Sequence, residues 1–299
     1  MLLYKGGLQS CLQCAHIAKE NKFDFSKNTT YGLGGFADLA YYPKTVLEAK
    51  IAFDELKSNK IPITVIGNGS NVLASDNGVG GAVISTKKLE GIVRLSTDRL
   101  LCLAGTKIAR LLEYCRKNEL GGLEYLYAIP ATVGGAAYMN AGVCGISISQ
   151  NIESVQVYDG KSTVLPNEKC DFGYRHSTMR NISALILSII VKVNSSCAAE
   201  IDERIRFYRE RRAHLPNGKS CGCVFKNPEG FSAGYLIEAA GLKGLRIGGA
   251  VVSDRHASFI INEGGKATDV KRLIEEVKKR VYERFTIALS EEVVYIGEF

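Results

Sequence analysis

The sequence has no long apolar run. None of its windows approaches the roughly 18 to 20 consecutive apolar residues of a membrane-spanning helix, and its first five residues are followed by polar ones instead of the apolar core of a secretory signal. A basic tail, a zinc-finger pattern and an RNA-binding aromatic signature are also missing, although the formal net charge is +7. We therefore predict a cytoplasmic protein without membrane insertion or nucleic-acid binding, whose spread positive charge serves small anionic ligands such as phosphates.

The dense, even set of cysteines that marks small secreted domains is absent too. The nine cysteines are an odd number scattered over 299 residues, so we expect reduced thiols in a cytosol. Two close pairs, Cys11 with Cys14 and Cys221 with Cys223, could together offer four thiolates to a zinc ion. Because the second spacing is unusually tight and no zinc-ribbon context surrounds either pair, we predict no metal site.

Strand and helix patterns alternate along the chain, and a hydrophobic content of 46% over 299 residues allows a sizeable core. Strands are predicted at 36–42, 63–66, 81–85, 99–103, 152–158, 184–193, within 245–262 and at 293–297. Helices are predicted at 45–58, 107–117, 199–212, 233–240 and 268–286. The clearest boundary is the polar segment 194–196, and three α/β domains are predicted at 1–86, 87–196 and 197–299.

Two glycine-rich loops could hold a phosphorylated ligand. In the 67–71 loop, two glycines permit positive φ and close approach, so backbone amides can point at a diphosphate while Ser70 and Asn71 donate hydrogen bonds. The 128–142 loop has a rigid proline near its start, a glycine pair and small residues, against which a flat ligand could lie. Neither loop fits a P-loop or a Rossmann fingerprint. A turn or close packing explains either loop alone, whereas two such loops favour an extended dinucleotide.

A longer set of motifs runs in one order from about residue 28 to 297. Its segments are 28–38, 67–73, 122–124, 130–142, 174–177, 222–228, 233–244, 253–262 and 289–293. Together they resemble the UDP-N-acetylenolpyruvoylglucosamine reductase family, flavoenzymes of bacterial cell-wall synthesis. So many motifs in order over nearly the whole chain make a chance agreement very rare.

The resemblance implies a multi-domain α/β and α+β fold, with an FAD-binding scaffold of two α/β domains like that of vanillyl-alcohol oxidase and a C-terminal α/β substrate domain. It implies that NADPH reduces a non-covalently bound FAD, and that the flavin then reduces the enolpyruvyl ether of UDP-N-acetylglucosamine-enolpyruvate to UDP-N-acetylmuramate for peptidoglycan. The short passage between Arg212 and Cys221 resembles the compact subtype, which lacks an extra substrate-covering loop. We expect a monomer.

The same resemblance implies which residues bind the cofactor and the substrate. For FAD they are Tyr31, Gly67, Asn68, Gly69, Ser70, Asn71, Leu73, Pro130, Thr132, Gly134, Gly135, Asn140 and Gly142. For the sugar nucleotide they are Arg212, Lys226, Asn227 and His256, with contact to the UDP diphosphate as a role for the basic ones. Ala128 and Ala131 stand where glycines are common in the family, a change expected to tighten or displace the backbone near the flavin ring.

Three residues are implied to be catalytic. Reducing an enolpyruvyl group needs a hydride at the methylene carbon, stabilisation of the enolate that forms, and a proton at the adjacent carbon. Arg175 would be the fixed cation that stabilises the enolate, and Glu292 would help to polarise the substrate carboxylate, which requires a proton or a proton-sharing partner. Cys223 stands where the family usually has a serine as proton donor, and a thiol with a reference pKa of ~8.5 is mostly protonated at neutral pH.

Plainer interpretations of these residues stay open at the level of sequence. Without the resemblance, Arg175 reads as a surface or carboxylate-pairing residue, Glu292 as solvated, and Cys221 and Cys223 as buried structural thiols. Two other functions also remain: a different flavoenzyme on the same scaffold, such as an oxidase, and a flavin- or nucleotide-binding protein without turnover. The cysteine in place of serine gives some weight to the last of these.

Overall fold

The computed structural model describes residues 17–299. Its helices are α1 (Phe25–Asn28), α2 (Val46–Ser58), α3 (Ile108–Lys117), α4 (Val133–Tyr138), α5 (Ala198–Arg212), α6 (Ala233–Ala239) and α7 (Ala267–Phe285). Its strands are β1 (Ala18–Glu20), β2 (Phe23–Asp24), β3 (Phe36–Tyr42), β4 (Ile63–Ile66), β5 (Val72–Ala74), β6 (Val79–Ser85), β7 (Ile92–Arg94), β8 (Arg99–Leu103), β9 (Leu120–Gly121), β10 (Gly142–Val143), β11 (Ile146–Ser147), β12 (Ile152–Tyr158), β13 (Ser162–Pro166), β14 (Leu185–Lys192), β15 (Asn194–Ser195), β16 (Arg246–Ile247), β17 (Ala250–Val252), β18 (Ile260–Asn262) and β19 (Val294–Ile296). None of the helices in this described part is both long and apolar enough to cross a membrane.

The first sheet is mixed. Its strands lie in the order β1-β3-β6-β4, with β2 also paired to β3, and β3, β6 and β4 run parallel to one another. Helix α2 connects β3 to β4 and buries Ala49, Ala52, Phe53 and Leu56, the i, i+3, i+4, i+7 spacing of one helix face. Because parallel strands present their carboxyl ends at one edge, the loop that follows β4 lies where α/β sheets commonly bind ligands.

The second sheet is antiparallel, in the order β13-β12-β14-β8-β7. One cluster of buried apolar side chains joins both sheets, including Ile84 of the first and Leu100, Val155 and Ile189 of the second. This continuous core fixes the two sheets relative to each other, since interiors pack at nearly crystalline density.

The C-terminal part has a small antiparallel sheet, β16-β17-β18, against which α7 packs. Its core includes Val224, Ile237, Ile260 and Ile274. The last strand leaves this part, because β19 pairs in parallel with β5, near the 67–71 loop. The C-terminal strand therefore carries the residues just before it to the edge of the first sheet.

Most predicted elements are confirmed, and the differences have local causes. Strands 36–42, 63–66, 99–103 and 152–158 have the predicted bounds, and the region 245–262 divides into three short strands. Helix α4 falls inside the stretch predicted as a loop, because its paired glycines hide the helical pattern. The predicted domain limits at 86 and 196 lie between the three sheets but stay predictions, and the pairing of β19 with β5 crosses them.

Candidate active site

A cavity of about 1090 Å³ is lined by residues from all three parts of the chain. The predicted site residues that line it are Gly67, Asn68, Gly69, Ser70, Asn71, Pro130, Thr132, Gly134, Gly135, Asn140, Gly142, Arg175, Arg212, Cys223, Asn227 and Glu292. Segments that are far apart in sequence therefore meet around one space. Its size suits a ligand larger than a single sugar or nucleobase.

The two glycine-rich loops touch each other at the cavity. A Cβ atom on Gly67 would lie 2.5 Å from Thr132 Oγ1, and Asn68 Nδ2 donates a hydrogen bond of 2.7 Å to the carbonyl oxygen of Pro130. Gly69 has a φ of +64° and sits so close to Asn28 that a side chain would collide with its carbonyl oxygen. Only glycine lets the loops approach this closely.

Hydrogen bonds at several positions hold the 128–142 loop in place. The amide of Gly134 donates to the Ala104 carbonyl oxygen at 2.8 Å, and Thr132 Oγ1 caps α4 by accepting from the amide of Gly135 at 3.2 Å. Further on, Asn140 has a φ of +45° and its Nδ2 donates to the Gly173 carbonyl oxygen at 2.8 Å. The small residues thus serve close packing and leave the backbone facing the cavity.

Ala128 adopts a left-handed conformation, with a φ of +59°. An alanine Cβ is unfavourable in this region, whereas glycine is not. The carbonyl oxygen of Ala128 accepts a hydrogen bond of 3.3 Å from Arg212 Nη2. Ala131 is different, because its φ is not positive. Of the two alanines, Ala128 is therefore strained and Ala131 is not.

Arg175 and Glu292 form an ion pair at the cavity wall. Arg175 Nε donates to Glu292 Oε1 at 2.6 Å and Nη2 donates to the Gly142 carbonyl oxygen at 3.1 Å. Their side chains are 20% and 14% exposed, so the pair is shielded from water. Within residues 17–299, Nη1 of Arg175 has no such partner and is left for a ligand.

The pKa of Glu292 lies above its ordinary value. Burial is the largest cause, and it outweighs the lowering effect of the Arg175 charge and hydrogen bond and the weaker effects of Lys226 and Arg180. Burial therefore makes this carboxyl group harder to ionise than an exposed glutamate, while the paired guanidinium favours its charged form. On its backbone side, Asn71 Nδ2 donates to the Glu292 carbonyl oxygen at 2.9 Å, which ties this residue to the first glycine-rich loop.

Cys221 and Cys223 lie two residues apart but in different surroundings. Cys221 is buried in the C-terminal core beside Tyr31 and Phe225, and burial raises its pKa far above the ordinary range. Cys223 is half-buried at the cavity, and burial, followed by the nearby Glu292, raises its pKa to about 11. All seven cysteines of the described part are free thiols. With a pKa of about 11, the Cys223 thiol stays protonated at neutral pH.

Four predicted binding residues lie outside the cavity lining. Tyr31 is buried and its hydroxyl donates to the Ile260 carbonyl oxygen at 3.0 Å. Leu73 is buried in β5. Lys226 affects Glu292 only through its charge. His256 is stacked on His214, with ring centroids 5.9 Å apart.

Ligand contact by these four residues stays a prediction. Burial, followed by the charge of His214, lowers the pKa of His256. The histidine is therefore mostly neutral at pH 7, which weakens any role for it as a fixed cation.

Several supporting residues were missing from the predicted site. Tyr174 lies under the Arg175 guanidinium at 5.2 Å from ring centroid to Cζ, and its hydroxyl accepts from the Asn227 amide at 3.3 Å. Arg180 Nη1 donates to the Arg175 carbonyl oxygen at 2.8 Å, and Arg175 itself has a φ of +54°. Tyr174 belongs to a motif noted in the sequence, whereas nothing local marks Arg180.

The lining suits a long dinucleotide with a flat ring. Backbone amides and small residues of the two loops offer polar edges and close approach. Arg212, whose Nη2 contacts the second loop at Ala128, lies half-buried with its Nε lacking a hydrogen-bond partner in the described part, and burial lowers its pKa. A guanidinium with a buried, unpartnered Nε favours an anionic group such as a phosphate. The residues present therefore fit FAD on the loop side and a second anion near Arg212.

The described part of the chain offers no group of three or more His, Cys, Asp or Glu side chains that could hold a metal ion. Cys11 and Cys14, half of the zinc alternative, lie outside the described residues. Cys221 and Cys223, within residues 17–299, belong to no such group.

Two family models match the chain. One, described as an FAD binding domain, matches residues 37–166. The other, described as the C-terminal domain of UDP-N-acetylenolpyruvoylglucosamine reductase, matches residues 214–296. The first covers both glycine-rich loops, and the second covers Cys223 and Glu292.

Similar proteins match over nearly the full length. The chain is 41% identical over 277 residues to a UDP-N-acetylenolpyruvoylglucosamine reductase of Clostridium botulinum, with 91% of this chain and 90% of that protein covered. It is 38% identical over 298 residues to the reductase of Moorella thermoacetica, with 98% and 97% covered. The crystal structure of the Thermus caldophilus reductase matches with a TM-score of 0.79 and 35% identity, over 94% of this chain and 100% of that one.

The fold, the loop-lined cavity and the match to an FAD binding domain define a flavin-binding oxidoreductase. The identity and coverage of its relatives show that the chain belongs to the UDP-N-acetylenolpyruvoylglucosamine reductase family. The predicted family, fold class and FAD cofactor are confirmed by these matches.

Proposed function

We propose that the protein uses NADPH to reduce the enolpyruvyl ether of UDP-N-acetylglucosamine-enolpyruvate to UDP-N-acetylmuramate, in the cytoplasm and as a monomer. The observation that carries the proposal is the meeting of Arg175, Cys223 and Glu292, the catalytic cluster, on the cavity that the FAD-binding loops line. FAD, when bound, supplies the hydride for the methylene carbon. The steps below concern the protein's own residues.

Arg175 stabilises the enolate that develops on the substrate. Its Nε and Nη2 are held by Glu292 and by the Gly142 carbonyl oxygen, and the Tyr174 ring lies under the guanidinium. The cation is therefore fixed before the reaction, and its free Nη1 can meet a developing negative charge without reorganisation. Burial of the pair strengthens this interaction, because screening by water is reduced.

Glu292 keeps the substrate carboxylate region polarised. Burial raises the pKa of Glu292, so sharing a proton with the substrate carboxylate costs less than it would for an exposed glutamate. The hydrogen bond from Asn71 to its carbonyl oxygen and the pairing of β19 with β5 hold it in place.

Cys223 delivers the proton to the carbon adjacent to the one that receives the hydride. With a pKa of about 11 the thiol carries its proton at neutral pH, and hydride plus proton complete the two-electron reduction. The sulfur is left as a thiolate, whose charge Arg175 and Arg212 favour and Glu292 opposes. Solvent must then return a proton before the next turnover.

Arg212 and Asn227 bind the sugar nucleotide. Arg212 offers its buried, unpartnered Nε to a phosphate. Asn227 lines the cavity while its Oδ1 accepts from the Ala233 amide at 3.0 Å, which orients its amide nitrogen. Lys226 adds positive charge behind this wall.

An anaerobic experiment in two stages tests the proposal. Purified protein should be yellow, NADPH should bleach the flavin, and the enolpyruvyl sugar nucleotide should then restore its colour. Bleaching without restoration by this substrate would reject the reductase function in favour of another flavoenzyme. Colourless protein that takes up no FAD, or bound FAD that NADPH leaves oxidised, would reject the NADPH step.

A further inference from the structure

Arg175 lies in a tight turn whose backbone shape does not favour an arginine. The amide of His176 donates to the Gly173 carbonyl oxygen at 3.1 Å, and the amide of Gly173 donates to the His176 carbonyl oxygen at 3.1 Å. Tyr174 and Arg175 are therefore the two central residues of the turn, and Arg175 has a φ of +54°. Glycine or asparagine is preferred at such a position, because a Cβ atom is crowded in the left-handed region. The turn therefore needs contacts that hold an arginine there.

Two side-chain contacts hold the ends of this turn. Asn140 Nδ2 donates to the Gly173 carbonyl oxygen at 2.8 Å, and the buried Ser177 Oγ donates to the Tyr138 carbonyl oxygen at 2.7 Å. They fix where the turn begins and where it ends. Neither of them reaches the backbone of Arg175 itself.

Arg180 supplies the contact that does reach it. The residue lies on a short 3₁₀ helix, Thr178–Asn181, and its Nη1 donates to the Arg175 carbonyl oxygen at 2.8 Å. Among residues 17–299, this is the hydrogen bond that the Arg180 side chain makes and the one that this carbonyl oxygen accepts. A charged donor forms a stronger hydrogen bond than a neutral one, and Arg180 is half-buried. The contact is therefore suited to keep Arg175 in the left-handed conformation.

The side chain of Arg175 is held separately from its backbone. Its Nε donates to Glu292 at 2.6 Å and its Nη2 to the Gly142 carbonyl oxygen at 3.1 Å. A relaxation of Arg175 to negative φ would redirect its Cβ atom and pull the guanidinium away from these partners. The cavity lining includes Arg175 but not Arg180. Any effect of Arg180 on chemistry in the cavity therefore passes through Arg175.

We propose that Arg180 is a positioning residue that holds Arg175 in its left-handed turn, so that the Arg175 guanidinium meets the enolate in a fixed place. No proton or electron passes through Arg180. The catalytic use of this contact rests on the proposed function, but the hold on the turn can be measured without turnover.

The first test measures hydrogen–deuterium exchange at the His176 and Gly173 amides in the flavin-loaded protein. Arg180→Met removes the donor and keeps a side chain of similar reach. Because a hydrogen bond from a charged group is lost, we expect both amides to exchange roughly tenfold faster than in the unchanged protein. Exchange at the unchanged rate would overturn the proposal.

Matched variants separate the lost hydrogen bond from a general loss of structure. Arg180→Lys keeps a cationic donor and should exchange within about threefold of the unchanged protein. Arg94 is exposed and donates to the carbonyl oxygens of Ser96 and Thr97, far along the chain from this turn. Arg94→Met should leave the exchange at His176 and Gly173 unchanged. If Arg180→Met does not fold with bound flavin, Arg180→Leu takes its place.

The second test measures the two half-reactions by stopped-flow absorbance. Arg180→Met should slow flavin reoxidation at saturating enolpyruvyl substrate roughly 10- to 100-fold, since a misplaced group can cost this much. The bound flavin, its bleaching by NADPH and the substrate concentration for half-maximal rate should change by less than about threefold. A merely structural role would lower flavin content and bleaching as well, and that result would overturn the proposal. Arg180→Lys should restore most of the reoxidation rate.

Arg175→Met distinguishes a failure of this proposal from a failure of the proposed function. If Arg175→Met slows reoxidation and Arg180→Met does not, Arg180 is not a positioning residue and the proposal is overturned. If Arg175→Met itself leaves reoxidation unchanged, the role of Arg175 in the proposed function is rejected. The exchange rates then decide by themselves whether Arg180 holds the turn.

Discussion

The loop side of the cavity and the side proposed to be catalytic, called the catalytic side below, are built in different ways. On the loop side, Gly67, Gly69 and Gly134 bring backbone segments into contact that no side chain would permit. On the catalytic side, Arg175, Cys223 and Glu292 come from three distant segments and are held by side-chain bonds and charges. The loop side therefore depends on glycines, which have no side-chain atoms. The catalytic side depends on the charges and hydrogen bonds of its side chains.

The comparison predicts that a change on the catalytic side can abolish substrate reduction while flavin binding on the loop side is unchanged. Cys223→Ala should slow flavin reoxidation by the enolpyruvyl substrate roughly 10²- to 10⁴-fold, as expected for loss of a proton donor. Bleaching by NADPH and the amount of bound flavin should stay unchanged. Stopped-flow absorbance of the two stages measures both.

Cys223→Ser is the matched control, since a hydroxyl restores the proton donor that is usual in the family. It should retain reoxidation far above the alanine variant. Equal rates for the alanine variant and the unchanged protein would show that the proton comes from elsewhere.

On the loop side, a steric clash alone should weaken flavin binding. In Gly67→Ala the new methyl group would lie 2.5 Å from Thr132 Oγ1, and overpacking of this kind costs roughly 1–3 kcal/mol. We expect flavin affinity to fall about 10-fold or more, measured by fluorescence titration of flavin-free protein. Gly80→Ala is the control, because no described atom lies within 4 Å of its added methyl, and unchanged affinity is expected there. Equal losses in both variants would contradict the steric explanation.

Away from the cavity, the contact between Asp76 and the start of α7 should depend on pH. Asp76, just after β5, accepts hydrogen bonds from the amides of Ala267 and Thr268 at 2.8 and 2.9 Å and so caps α7. Burial tends to raise the pKa of Asp76, but these bonds and that of the Thr268 hydroxyl hold it below the ordinary value of 3.8. Stability from this carboxylate is therefore complete above pH 3.8 and is lost as the pH falls through the lowered pKa.

Asp76→Ala should cost about 1–2 kcal/mol of unfolding free energy at pH 7, as for the loss of a helix cap. The difference from the unchanged protein should shrink at pH 3 and below. Urea unfolding at several pH values measures it. A difference that is constant with pH would show that the carboxylate charge contributes nothing.

The smallest effect concerns the two alanines in the second loop. Ala128→Gly should stabilise the protein by up to about 1 kcal/mol, because glycine relieves the left-handed strain. Ala131→Gly should destabilise it by roughly 0.5–1 kcal/mol, since glycine there only adds freedom to the unfolded chain. Thermal unfolding of the two variants measures these stability changes. A stability change of the same sign in both variants would refute the strain at Ala128.

Local patterns were enough for much of the fold. Strands such as 36–42 and 63–66 alternate or bury apolar residues strongly enough to give their own bounds, and α2 shows one apolar face. Short pieces such as β1, β13 and α4 were missed, because two to six residues carry too little periodicity to be separated from a loop. The pairing of β19 with β5 joins positions too far apart in sequence for any local pattern.

The sequence by itself determined the family, and it predicted the two flavin-binding loops and the three catalytic residues. These follow from residue types and their order. Only the tertiary structure decided that Arg175 and Glu292 pair at 2.6 Å and that Tyr31 and His256 do not line the cavity. The reason is that residue types can be read from the sequence one position at a time. The burial, pairing and pKa of a side chain instead depend on which distant segments the packed chain brings together.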